Sequence, residues 1–267
     1  MKILVRCAAG LLAILGMSLT TQAQTAASPQ SPLRPLGLSL WNSTSGRVMV
    51  QGSDTASASF MSNNFNSFMA IVNNNLGESA AYSQASNNTL APEKLFFFFD
   101  YAPRIYFLTE GAGYTNALGA NICDAETSTS PTPDATRRFL VYPNSQSNKG
   151  QWGGDGSSNR TTAYPLQPGD FVQLPMITRG KQLELFLIAN MNGSAVPEAT
   201  YYNQKQQNGD NLLHMVAFFP PNSNFVILGF EDIYGGGDLD YNDLVMALDV
   251  GANNAAVWRN PQGALPK

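Results

Sequence analysis

Five carboxylates, Glu231, Asp232, Asp238, Asp240 and Asp243, crowd residues 231–243, and no Lys or Arg stands among them. Carboxylates held on one turn repel each other and resist losing water. A bound hard cation removes both costs, and Ca²⁺ takes roughly 6–8 oxygens from such groups. Asp238, Asp240 and Asn242 alternate, as the first three ligands of a helix–loop–helix calcium loop do. Asp243 then stands where that loop needs its Gly, and Asp249 stands where the bidentate Glu would be, but inside a strand pattern. The stretch therefore reads as a strand–loop–strand oxygen cluster and not as an EF-hand. Turn chemistry is the competing explanation, but a turn uses one or two Asp or Asn residues and not this many without a counter-charge. The expected ligand is Ca²⁺.

The cluster needs elements to hold it. Residues 225–230 and 244–248 are apolar runs of strand length, and each ends in Gly or acidic residues, the pattern of buried strands. Gly235, Gly236 and Gly237 between them let the loop fold tightly. The pair reads as a β-hairpin pinned by a cation. Asp155 and Asp210 lie outside it, and the sequence leaves open whether they build a second metal site.

Composition sets the setting. Residues 1–23 read as a bacterial secretion signal: Lys2 and Arg6 precede an apolar run over residues 7–19, and Thr21, Gln22 and Ala23 form a small-residue cleavage site, so the mature chain is expected to start at Gln24. Cleavage removes two basic residues and no acidic one, taking the formal charge from −4 to −6. Such a chain has little to attract nucleic acid, and no membrane insertion is expected after cleavage. Only Cys123 remains, so no intramolecular disulfide forms. The expected location is secreted or periplasmic, at the cell exterior.

Along the mature chain, residues 24–35 read as a flexible leader with Ser28-Pro29 and Ser31-Pro32. Residues 36–94 are expected to hold a hairpin, formed by residues 36–41 and 47–51, and one helix. That helix spans residues 58–76, where Phe60, Met61, Phe65, Phe68, Met69, Val72 and Leu76 recur at helical spacing. Residues 95–250 hold the main domain. Its expected strands are 95–99, 104–108, 139–142, 170–174, 182–189, 212–219, 225–230 and 244–248, with turn signals between them. Residues 110–119 read as a turn, 124–134 as a surface loop and 144–162 as a polar loop around Trp152. Residues 251–267 form a polar C-terminal tail from which Trp258 tucks back. The fold class is mainly β: a β-sandwich, Greek-key or jelly-roll-like, with one N-terminal amphipathic helix packed on it.

Enzyme chemistry is thinly provided. His214 is the single His and sits within an apolar strand pattern, where a buried histidine is the plainer explanation. Cys123 and His214 lack a recognised catalytic context, and neither G-x-S-x-G nor H-E-x-x-H occurs. A glycosidase built on two carboxylates needs no local motif and stays as an alternative. A Ca²⁺-dependent carbohydrate-binding protein is another, with Trp41, Trp152, Trp258 and ten Tyr available to stack on sugar rings.

Residues Gly229-Phe230-Glu231-Asp232, Gly236-Gly237-Asp238 and Asp240-Tyr241-Asn242-Asp243-Leu244-Val245 resemble the signature of a bacterial family called domain of unknown function 4114. The segment from Glu110 to Gly119 resembles that family's other recurring element, and residues 208–214 resemble its strand entry. The resemblance covers residues 95–250. It implies an exported β-sandwich module with Ca²⁺ binding, of a kind found in large surface or adhesion-related proteins. It also implies a ligand pool of Glu231, Asp232, Asp238, Asp240, Asn242 and Asp243. Leu239 departs from the family pattern, where a basic residue is usual. The expected function is a non-enzymatic structural, adhesion or ligand-binding module whose partner is an extracellular ligand, a glycan or a cell-surface protein.

Overall fold

The computed structural model describes residues 31, 33–41, 48–83, 89–124, 138–149, 154–191 and 199–260. The secretion signal, its cleavage site, Trp152 and most of the 124–134 loop lie outside these residues.

The elements follow in the order β1 (Val48–Met49), α1 (Thr55–Asn63), α2 (Phe65–Asn75), β2 (Thr89–Leu90), β3 (Arg104–Thr109), β4 (Ala117–Asp124), β5 (Phe139–Tyr142) and β6 (Phe171–Gln173). Then come β7 (Lys181–Ala189), β8 (Ala199–Tyr202), β9 (Met215–Phe218), β10 (Phe225–Phe230), β11 (Leu244–Asp249) and α3 (Gly251–Arg259). The strands form two sheets, a seven-stranded one in the order β1-β6-β3-β11-β10-β9-β2 and a four-stranded one in the order β5-β4-β7-β8. All strand pairs are antiparallel.

The two sheets face each other across the main core. Ile105 and Phe107 of β3, Leu228 and Phe230 of β10 and Met246 and Leu248 of β11 meet Leu183, Leu185 and Leu187 of β7 there. Each such side chain, taken fully out of water, contributes roughly 1.5–3 kcal/mol. Alternate residues of the larger sheet point the other way, and Tyr106, Ile227, Val245 and Ala247 pack against Phe60, Phe68, Val72 and Leu76. The chain is thus a β-sandwich with a helical layer on the outside of its larger sheet.

That helical layer is two helices and not one. The 58–76 periodicity is real, but the chain breaks at Asn64, whose backbone is at φ −119°. α1 starts on a capping box: the Asp54 carboxylate accepts from Ser57 N–H at 2.8 Å, and Ser57 Oγ accepts from Asp54 N–H at 3.2 Å.

Several expected elements differ. Among the described residues, 36–41 and 48–51 do not pair: Val48 and Met49 add to β6, while Leu40 bridges Leu140. Propensity shows that a short run is extended but not which edge it joins. Residues 95–99 form a single bridge, Phe96 to Gln182, in place of a strand, and Phe99 is exposed. Asn254 Oδ1 accepts the Phe98 and Phe99 N–H groups at 2.9 and 3.0 Å, so a side chain takes donors that a ladder would use. The 251–267 tail begins as α3. Trp258 does turn back: its ring packs against Phe97 at 5.5 Å, and its Nε1–H donates to Phe96 O at 2.5 Å. Strands β2, β4 and β8 were not expected; in β4, Gly119 and the polar residues hide the strand character.

Candidate metal centre

β10 and β11 run from Phe225↔Asp249 to Phe230↔Leu244 without a break, so residues 231–243 are the loop of a long hairpin. The loop doubles back on itself. Gly235, Gly236 and Gly237 take φ of +85°, +86° and +51°, and Leu239 and Tyr241 adopt φ of 63° and 56°. Tyr241 is held there by its hydroxyl, which donates to Leu213 O at 3.1 Å.

Within this frame the carboxylates fall into two triads. Oxygens of Glu231, Asp232 and Asp243 lie within 4.8 Å of one another, as do those of Glu78, Asp238 and Asp240. Both triads line one cleft of about 370 Å³. Glu231 and Asp232 are 1% and 3% exposed, and Asp240 is as deeply buried. Glu78 and Asp238 stand at the exposed mouth.

Glu78 is the member that sequence reasoning missed, and packing explains its arrival. α2 ends at Asn75, and Cδ1 of the next residue, Leu76, lies 2.8 Å from where a Cβ on Gly229 would be. That close approach to β10 carries residues 77–82 alongside the hairpin loop. Ser79 N–H then donates to Asp240 Oδ2 and Tyr82 N–H to Leu239 O, both at 2.8 Å.

The loop's base is braced from β9. His214 is buried, with Nδ1 3.0 Å from Glu231 O and Nε2 2.8 Å from Asp210 Oδ2. Asp210 also accepts Gly235 N–H at 2.8 Å, and Tyr201 stacks on the imidazole at 3.8 Å. Asp210 is therefore a clamp on the loop. Asp155 is far more exposed and accepts Ser157 N–H at 2.8 Å in a local turn. His214 and Cys123 do not pair, since the thiol lies 3.8 Å from Gln182 O and burial pushes its pKa up to about 11.

The electrostatics are those of an anionic pocket. Burial, with Asp238, Asp232 and Asp240 adding to it, pushes Glu231 up to about 8. Burial, with Asp232 and Glu231 next, raises Asp243 to about 9. Burial likewise raises Asp240 and takes Glu110 to about 8. Some partners are in place. Asp243 Oδ2 accepts Asp232 N–H at 2.8 Å, and Asn116 Nδ2 donates to Asp232 Oδ2 at 2.6 Å. Asn242 Nδ2 donates to Asp240 Oδ2 at 2.7 Å, so this side chain braces the second triad. Glu231 Oε2, in contrast, is buried with no hydrogen-bond partner. A buried polar oxygen left unmet is costly. Here it lies in a pocket whose other side chains offer oxygen, the donor set that suits a hard cation.

The expected ligand pool is thus gathered at one place but divided: Glu231, Asp232 and Asp243 on one side, Asp238 and Asp240 with Glu78 on the other. Asp249 lies at the far end of β11, where it accepts from Tyr101 Oη–H and Gly251 N–H at 3.0 Å. The EF-hand register is absent for that reason.

Residues 166–251 match the family described as Domain of unknown function (DUF4114). No curated protein and no solved structure matches the chain.

Proposed function

We propose that this chain, whose residues 166–251 match the DUF4114 family, is an exported, non-enzymatic β-sandwich module stabilised by Ca²⁺, serving adhesion or ligand binding at the cell exterior. The observation that carries the reading is the buried Glu231, whose Oε2 has no hydrogen-bond partner and whose carboxylate brings an oxygen within 4.8 Å of oxygens of Asp232 and Asp243. Glu231, Asp232 and Asp243 hold the ion, and it supplies the positive charge that a pocket without Lys or Arg lacks. Because the ion meets its ligands only in the folded hairpin, occupancy adds to folding stability by mass action. Extracellular Ca²⁺ at millimolar levels fills even weak sites.

The export reading is supported by the basic start and apolar run of residues 1–23. Among the described residues, no helix is long and apolar enough to cross a membrane. The partner is an extracellular glycan or a cell-surface protein. Of the tryptophans offered for sugar stacking, Trp258 is spent on the core, which weakens that alternative.

The test is thermal unfolding of the chain in millimolar Ca²⁺ and in excess chelator. A higher melting temperature with Ca²⁺ supports the reading, and identical curves overturn it.

A further inference from the structure

We propose that Asn116 is a positioning residue for the cation: it holds Asp232 in its ligating pose, and through it loading of the hairpin fastens the smaller sheet to the larger one. This rests on the metal reading above and carries it into the other sheet. Three observations support it.

The first is placement. Asn116 stands just before β4 of the smaller sheet, and Asp232 follows β10 of the larger. Asn116 is fully buried, and its Nδ2–H donates to Asp232 Oδ2 at 2.6 Å. A side-chain hydrogen bond therefore joins the two sheets at the wall of the cleft. Another joins them away from the cleft, where Tyr142 Oη–H of β5 donates to Ile105 O of β3 at 2.7 Å.

The second is how Asn116 itself is held. Its Oδ1 accepts Asn190 N–H at 3.2 Å, just past the end of β7. A backbone N–H only donates, so this bond fixes Oδ1 and turns Nδ2–H toward the carboxylate. The backbone O of Asn116 accepts Ser145 N–H at 2.8 Å and Ser145 Oγ–H at 3.0 Å. Met191 N–H donates to the neighbouring Thr115 O at 2.7 Å. The amide is thus locked to the ends of β4 and β7 and to the chain after β5.

The third is the kind of donor. Asp232 N–H is tied to Asp243 Oδ2, so the backbone of Asp232 is held within the hairpin and its side chain from the other sheet. A neutral amide orients a carboxylate without bringing a counter-charge, and the acid keeps its pull on a cation. Lys or Arg in the same place would compete with the ion. Hydrogen bonds of this kind to ligating groups are worth about 10–100-fold in metal affinity. The ion restrains Asp232, Asp232 restrains Asn116, and Asn116 restrains Ser145 and Asn190, which lie outside the ligand set.

The experiment is calorimetric Ca²⁺ titration of the chelator-stripped full chain as wild type, Asn116→Ala and Tyr142→Phe, with amide exchange read at Ser145, Asn190 and Met191. Tyr142→Phe is the control for general loosening, since it removes the hydrogen bond between the sheets that lies away from the cleft. Both variants melt lower than wild type in chelator. Asn116→Ala is expected to bind Ca²⁺ about 10–100-fold more weakly, and Tyr142→Phe to bind as the wild type does. Loading slows exchange at the three amides in the wild type and in Tyr142→Phe, and not in Asn116→Ala. Unchanged affinity in Asn116→Ala, or an equal loss in Tyr142→Phe, overturns the proposal and leaves the metal reading standing. Should Asn116→Ala not fold, the wild type decides alone: slowed exchange at the three amides supports the proposal, and slowing confined to residues 231–243 overturns it. No binding by the wild type removes the metal reading and the proposal with it.

Discussion

Gly237 lies against the Glu231 carboxylate so closely that a Cβ on it would stand 2.1 Å from Oε1. The glycine serves two needs at once. Its φ of +51° suits a residue without a side chain, and its missing methyl is the room that Glu231 occupies. The loop is shaped around a carboxylate that has too few partners of its own.

Gly237→Ala therefore displaces Glu231 and weakens Ca²⁺ binding at least about tenfold, or about 1.4 kcal/mol. The backbone penalty for Ala at positive φ is about 1–2 kcal/mol. Calorimetric titration checks the affinity, and the circular dichroism of the sandwich stays native.

Glu231→Gln separates the ion's effect from the fold's. In chelator the variant unfolds at the wild-type temperature or above, because the amide enters the buried acidic pocket without the proton that Glu231 must take up there. In Ca²⁺ the wild type gains stability and the variant does not. At a Ca²⁺ concentration 100 times Kd the wild-type gain is about 2.7 kcal/mol. Thermal melts of both proteins in both buffers measure it.

Glu110 gives the apo protein a pH dependence of known sign. It is fully buried, and burial raises its carboxyl from 4.5 to about 8. Between those values the folded chain holds a proton that the unfolded chain has released. Stability is then full below about pH 4.5 and falls as pH rises through about 8. Glu231 and Asp243 act in the same direction. Glu110→Gln removes one proton from the linkage and flattens the slope. Denaturant melts in chelator at a series of pH values check it.

Asp54 works far from the cleft. It caps α1 through Ser57 and pairs with Arg104 of β3, Nη1 to Oδ1 at 3.0 Å and Nη2 to Oδ2 at 2.8 Å. Asp54→Ala loses the cap and the pair and costs about 1–2 kcal/mol, while Asp54→Asn keeps the cap and costs less. Neither changes Ca²⁺ affinity. Urea unfolding and calorimetric titration distinguish the two effects.

What sequence alone determined is local. The runs at 225–230 and 139–142 are strands to the residue, because apolar β-branched and aromatic side chains bounded by turn residues admit little else. That the acids between the hairpin strands belong to one cluster was legible for a similar reason: like charges at close spacing without a counter-charge carry a cost that any fold must answer, and the structure gathers them around one cleft. The helical stripe from Phe60 to Leu76 was legible as a docking face, since its spacing is the helix's own.

Tertiary structure decided who faces whom. Nothing near Glu78 in the chain marks it as a partner of Asp238 and Asp240, and its link to Asn242 spans 164 residues. It arrives because Leu76 seats on the bare backbone of Gly229, a contact set by how a helix lies on a sheet. The division of one acidic run into two triads likewise depends on positive φ at Leu239 and Tyr241. Those angles are held by bonds from the helical layer and from Leu213, which no local spacing encodes. Short-range sterics and charge write themselves into neighbouring residues. Long-range pairing is settled only when the sheets and helices have packed.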